Sequence, residues 1–121
     1  MNRIKKHLSS YQYSLKGIYL AFKFENNMMF HFIAAIVVII LNVILKINKV
    51  EWLITLILIG LAWMAEIFNS AIEKLADRVT KEQDLLIANA KDLASGAVLM
   101  ICFFAVICAL IIYLPYILAI F

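Results

Sequence analysis

From Phe30 to Ile47 the chain reads FHFIAAIVVIILNVILKI, and two more apolar runs follow, from Val50 to about Ser70 and from about Ala94 to Phe121. A helix needs roughly 17 to 25 apolar residues to cross a hydrocarbon core of about 30 Å, so each run predicts a membrane span. The first run is short and carries Asn42 inside it, with Lys46 placed to snorkel at its end. Ahead of the spans, SLKGIYLAFKFENNMMF mixes aromatic and aliphatic residues with Lys16, Lys23 and Glu25 at roughly helical spacing. That pattern fits a helix lying in the membrane interface, expected over about residues 6–27. The fold class is therefore an all-α membrane protein, with three transmembrane helices behind an N-terminal amphipathic surface helix. Residues 1–121 form one domain, with spans expected at about 30–47, 50–70 and 94–120.

Composition agrees with this pattern: 66% of the residues are hydrophobic and 16% charged, which excludes a soluble globular domain. The N-terminal segment lacks the continuous apolar core of a cleavable signal peptide. Cys102 and Cys108 are six apart in the third span, neither a metal-ligand nor a redox spacing, and read as small core residues. Charge sets the expected orientation. Arg3, Lys5, Lys6, Lys16 and Lys23 precede the first span and Lys74, Arg78, Lys81 and Lys91 lie between the second and third, against only Lys46 and Lys49 in the remaining loop. By the positive-inside rule the N-terminus and the 74–91 loop are expected to be cytoplasmic. The net charge of +3 then marks a basic face suited to anionic headgroups or polyphosphates. No nucleic-acid motif accompanies it.

The second span ends in AEIFNSAIEKLAD, residues 65–77. With Glu66 at zero on a helical wheel, Glu73, Asp77, Ser70 and Asn69 fall at about −20°, +20°, +40° and −60°, a single polar stripe. A helix leaving a membrane turns polar in any case. Glu66, however, lies at the inner edge of the apolar run, where a charge costs up to about 2.5 to 3.5 kcal/mol, and such a residue is a functional candidate. Several carboxylates on one face call for a cation among them, and Mg²⁺ carrying a nucleotide's phosphates answers that need. Glu25, at the same membrane boundary, is a second donor. Lys91 and Asp92 stand just before the third span, next to the small residues Ala94, Ser95, Gly96 and Ala97. The three glycines are isolated, so no glycine-rich phosphate loop can form.

EIFNSAIEKLAD closely resembles the signature of the small prokaryotic diacylglycerol kinases, integral membrane lipid kinases unrelated to soluble kinases. The resemblance extends to YSLKG from Tyr13 to Gly17, Ala21, Glu25, Ala90 to Asp92, and Ala97 to Leu99. It implies transfer of a phosphoryl group from MgATP to a lipid alcohol in a homotrimer, with sites completed between subunits. It assigns Glu66 as catalytic base and Glu25 and Glu73 as metal-bridging carboxylates. Tyr13, Glu25, Glu73, Glu82, Gln83, Asp84, Lys91 and Asp92 are implied to contact the nucleotide. Asn69, Lys6 and Ser95 join Glu66 on the substrate side, although Lys6 stands where the family has an arginine and so lacks its bidentate fork. ENNMMFH and KDLASGAV look like the Gram-positive branch, which implies undecaprenol as substrate, with diacylglycerol as the alternative. His31 serves here only as a branch marker, because a lone histidine entering a span is usually an interfacial hydrogen-bonding group. Asp77 is left without a role. A non-enzymatic, holin-like membrane protein would share the size and span number, but it would carry polar residues along a span rather than at one end.

Overall fold

The computed structural model describes residues 2–121 as four helices in chain order: α1 Arg3–Phe24, α2 Asn26–Leu45, α3 Lys49–Val79 and α4 Leu85–Ile120. The last three are long and apolar enough to cross a membrane. Sequence capping explains where α3 and α4 start. Asn48 and Glu51 form a reciprocal capping box at the start of α3, and the Asp84 side chain accepts from the Ile87 N–H at the start of α4. Glu25 alone separates α1 from α2, in an extended conformation that turns the chain out of the surface helix and into the bundle. α2 ends at Lys46 in the left-handed region, with φ 53° and ψ 49°. α3 does not stop where its apolar run stops. It carries the polar stripe onward as unbroken helix to Val79.

α3 is the central element, packed most extensively on α4 and next on α2, while α1 touches the bundle lightly and buries only Ala21. Two interhelical clusters fix the register. Near the polar end, Phe22 of α1 meets both Phe32 of α2 and Trp63 of α3 edge to face, with ring centroids 5.8 Å and 5.1 Å apart. Toward the opposite end, Ile47, Ile112 and Tyr113 form a buried apolar core.

A polar network lies beside that core. Asn42 of α2 is fully buried: its Nδ2 donates to Thr55 Oγ1 of α3 at 2.9 Å, and its Oδ1 accepts from the Tyr113 hydroxyl of α4. Thr55 Oγ1 in turn donates to the Trp52 carbonyl at 2.9 Å. An amide inside hydrocarbon has no water to turn to, so it must find partners on neighbouring helices. One polar side chain from each spanning helix therefore locks their relative heights. Tyr113→Phe leaves Asn42 Oδ1 without its donor and is expected to destabilise the bundle by about 1 to 2 kcal/mol. Reversible unfolding in mixed micelles measures this loss, and an unchanged midpoint would show that the network does not hold the spans.

Candidate active site

The stripe on α3 lies as the helical period predicts, but its two halves face different neighbours. Glu66, Asn69 and Ser70 are buried, at 2%, 5% and 7% exposure, while Glu73 is half-buried and Asp77 is exposed. The upper half turns into the bundle and the lower half fans out toward the corner at Glu25 and the start of α4.

Glu66 sits at the end of the apolar run, and among the described residues its one basic neighbour is His31 of α2, whose Nε2 lies 3.5 Å from Glu66 Oε2. One turn further on, Asn69 Nδ2 reaches Glu73 Oε1 at 3.5 Å, and the buried Asn69 Oδ1 has no hydrogen-bond partner. Buried acceptors are rarely left unpaired, and those that are often mark a place where a ligand belongs. Glu25 Oε1 accepts from Lys74 Nζ at 2.9 Å. This hydrogen bond, with the charge of Glu25 and a smaller contribution from Glu73, holds the Lys74 ammonium's pKa above its ordinary value. Both glutamates therefore act on one cation. Asp77 Oδ1 accepts from Lys91 Nζ at 2.7 Å, tying α3 to α4 beyond the apolar runs. The same contact keeps the Asp77 carboxyl below its ordinary range and Lys91 above its own. The pair is thus intact at neutral pH and is lost as acidification reaches the depressed pKa of Asp77 or as alkalinisation reaches the raised pKa of Lys91.

The remaining predicted residues fall into two hollows and an exposed set. Glu82, Gln83, Asp84 and Lys91 line a hollow of about 760 Å³ together with Asp77. Asp92 does not join its neighbour Lys91 there; it lines a separate hollow of about 720 Å³ with Asn89, Leu93, Gly96 and Met100. Consecutive helical residues point about 100° apart, which turns the two side chains toward different hollows. Tyr13, Lys6 and Ser95 are exposed. Inside the bundle, an apolar slot of about 350 Å³ runs from His31 and Trp63 past Cys102 to Thr55 and Tyr113. The contact of His31 with Glu66 is what sequence reasoning missed. Its only advance signal was a polar residue on α2 entering the membrane at the end where Glu66 leaves it.

Among the described residues no cluster of three or more His, Cys, Asp or Glu side chains could cage a metal unaided. A pair of carboxylates beside an unpaired amide oxygen nevertheless suits a hard cation that keeps most of its coordination for phosphate oxygens and water. The Lys74 ammonium on Glu25 shows that the place already draws positive charge.

A buried carboxylate with further carboxylates along the same helix face, an apolar slot that reaches its neighbour His31 and a polar hollow beyond Asp77 are the layout of a membrane enzyme that joins an apolar substrate to a charged one. Residues 12–113 match the family model described as prokaryotic diacylglycerol kinase, and the chain belongs to that family. It is similar to the undecaprenol kinase of Bacillus subtilis (strain 168), with 33% identity over 114 residues, 94% of this chain and 93% of that protein. It is also similar to the diacylglycerol kinases of Pseudomonas aeruginosa, 34% identical over 78% of this chain and 76% of that one, and of Haemophilus influenzae, 33% identical over 75% and 77%. The protein is thus a membrane-embedded kinase. Every predicted site residue except Lys6 lies within the matched region.

Proposed function

We propose that this kinase transfers the γ-phosphate of MgATP to the hydroxyl of undecaprenol, giving undecaprenyl phosphate, at the cytoplasmic boundary of the plasma membrane. The observation that carries the reading is the buried Glu66 carboxylate, which stands where the apolar run of α3 meets its polar stripe. A lipid alcohol presents its hydroxyl at that depth while its hydrocarbon remains in the membrane. The extent of the match to the B. subtilis undecaprenol kinase, 94% of this chain against 78% for the P. aeruginosa diacylglycerol kinase, favours the polyprenol over diacylglycerol.

Phosphoryl transfer demands positioning and charge neutralisation more than covalent chemistry. Glu66 takes the proton of the lipid hydroxyl, and Asn69 beside it orients the alcohol. Glu25 and Glu73 would hold Mg²⁺, which would supply charge neutralisation of the phosphate oxygens. For the metal to reach Glu25, Lys74 must swing away, and its exposed side chain has the room to do so. Lys91 is held by Asp77 at the rim of the hollow that Glu82, Gln83 and Asp84 complete, ready to exchange that carboxylate for a phosphate. This gives Asp77 the role of keeping a lysine extended over the nucleotide hollow.

Asp92 and the exposed Tyr13, Lys6 and Ser95 point to a site completed by another subunit, in keeping with a homotrimer. Because Lys91 and Asp92 face different hollows, a nucleotide lying between protomers could meet Lys91 of one and Asp92 of the next. The test is the purified protein in mixed micelles with MgATP and each lipid alcohol in turn. Undecaprenol is expected to be phosphorylated with the higher kcat/KM. A higher value for diacylglycerol would reverse the substrate assignment, and no transfer to either would overturn the reading.

A further inference from the structure

Among the described residues His31 is the one basic side chain beside Glu66, and the surrounding packing fixes where it stands. The contact is secluded, with side-chain exposures of 12% for His31 and 3% for Glu66. The His31 backbone carbonyl accepts from Trp63 Nε1 at 3.3 Å, and Trp63 precedes Glu66 by three residues on α3, on a neighbouring face of the helix. Trp63 is in turn held by the rings of Phe22 and Phe32. The aromatic cluster thus sets the height of α2 against α3 at the level where the imidazole meets the carboxylate. Glu66 has no hydrogen-bond donor of its own among the described residues. A carboxylate with two free oxygens and several rotamers would be a poorly aimed base.

We propose that His31 is a positioning residue for Glu66: its Nε2–H engages Oε2 and so presents the other oxygen, Oε1, to the lipid hydroxyl. The inference rests on the assignment of Glu66 as base made above. At 3.5 Å the contact is a few tenths of an ångström longer than a formed N–H···O bond. Catalytic contacts are commonly this loose before substrate arrives. Among the described residues the imidazole pairs with neither Glu25 nor Glu73; it acts through Glu66 alone. The proton of the lipid hydroxyl goes to Glu66 Oε1, the lipid oxygen bonds to the γ-phosphorus, and the bond from that phosphorus to ADP breaks. His31 neither gains nor loses a proton in the step.

Steady-state kinetics of His31→Ala, His31→Gln and Glu66→Gln with MgATP and undecaprenol in mixed micelles test this. His31→Ala is expected to lower kcat by about 10- to 100-fold, the penalty of a misaimed group, with the KM for both substrates little changed. His31→Gln, whose amide N–H can replace the imidazole donor, is expected to recover most of the lost kcat. A purely structural role would not give this split between kcat and KM together with rescue by a donor. The ¹⁵N resonances of the His31 ring in otherwise wild-type protein are expected to shift on Glu66→Gln, which reports the contact independently of turnover and decides the matter if His31→Ala does not fold. Wild-type kcat in His31→Ala, equal damage from Ala and Gln, or unshifted ring resonances would overturn the inference. If Glu66→Gln is inactive while His31→Ala is not, this inference alone fails. If Glu66→Gln turns over normally, the base assignment fails and the inference with it.

Discussion

Glu66→Gln is expected to reduce phosphate transfer by about 10²- to 10⁴-fold, the contribution of a positioned general base. The substitution keeps the size and planarity of the side chain in a site with 2% exposure, so packing against α2 is preserved. What it removes is the ability to accept a proton, while Glu25, Glu73 and the hollow around Lys91 are untouched. Binding of a non-hydrolysable nucleotide should therefore be retained. The measurement is initial rate alongside nucleotide binding on the same preparation. Loss of both would mean that Glu66 serves the fold or the nucleotide, and retention of both would remove it from the chemistry.

Glu73→Gln is expected to raise the Mg²⁺ concentration needed for half-maximal rate by at least about 10-fold, the lower bound for disturbing even an outer partner of a metal ligand. Glu73 is half-buried and adjoins Asn69 at one oxygen. As an amide it offers a neutral donor set that a hard dication binds weakly. Glu25→Gln should act in the same direction but less sharply, because it also frees Lys74 from its ion pair. Titration of Mn²⁺ followed by electron paramagnetic resonance gives the affinity without reference to turnover. An unchanged Mn²⁺ affinity in both variants would place the metal elsewhere.

Much of this site is legible along the chain because its central element is one helix. Glu66, Asn69, Ser70 and Glu73 share a stripe through the 100° step of the backbone alone, and the apolar run ahead of them sets their depth. Glu25 falls at the same boundary because the chain crosses and returns between it and the polar end of α3, through α2 and then α3. The surface helix and the three spans follow from hydrophobic length and from the interfacial character of the first segment, and they stand as helices α1 to α4. The partners of these residues are a different matter. His31 and Glu66, Glu25 and Lys74, Asp77 and Lys91, and Asn42 and Tyr113 each meet across helices. None of the four pairs is foreshadowed by spacing.

By itself, then, the sequence determines the helices, their spanning lengths and the local face that carries the carboxylates, since each is a property of one segment and the solvent around it. Which helix meets which, and at what height, is decided only in the tertiary structure. In water an amphipathic stripe would reveal the packing face, but lipid is as apolar as a helix interface, so a span such as α4 is hydrophobic on every side and its pattern does not distinguish a neighbour from the bilayer. Buried polar side chains break that degeneracy. Asn42 finds Thr55 and Tyr113, Trp63 finds the carbonyl of His31, and the register they impose brings an imidazole to a carboxylate from a different part of the chain.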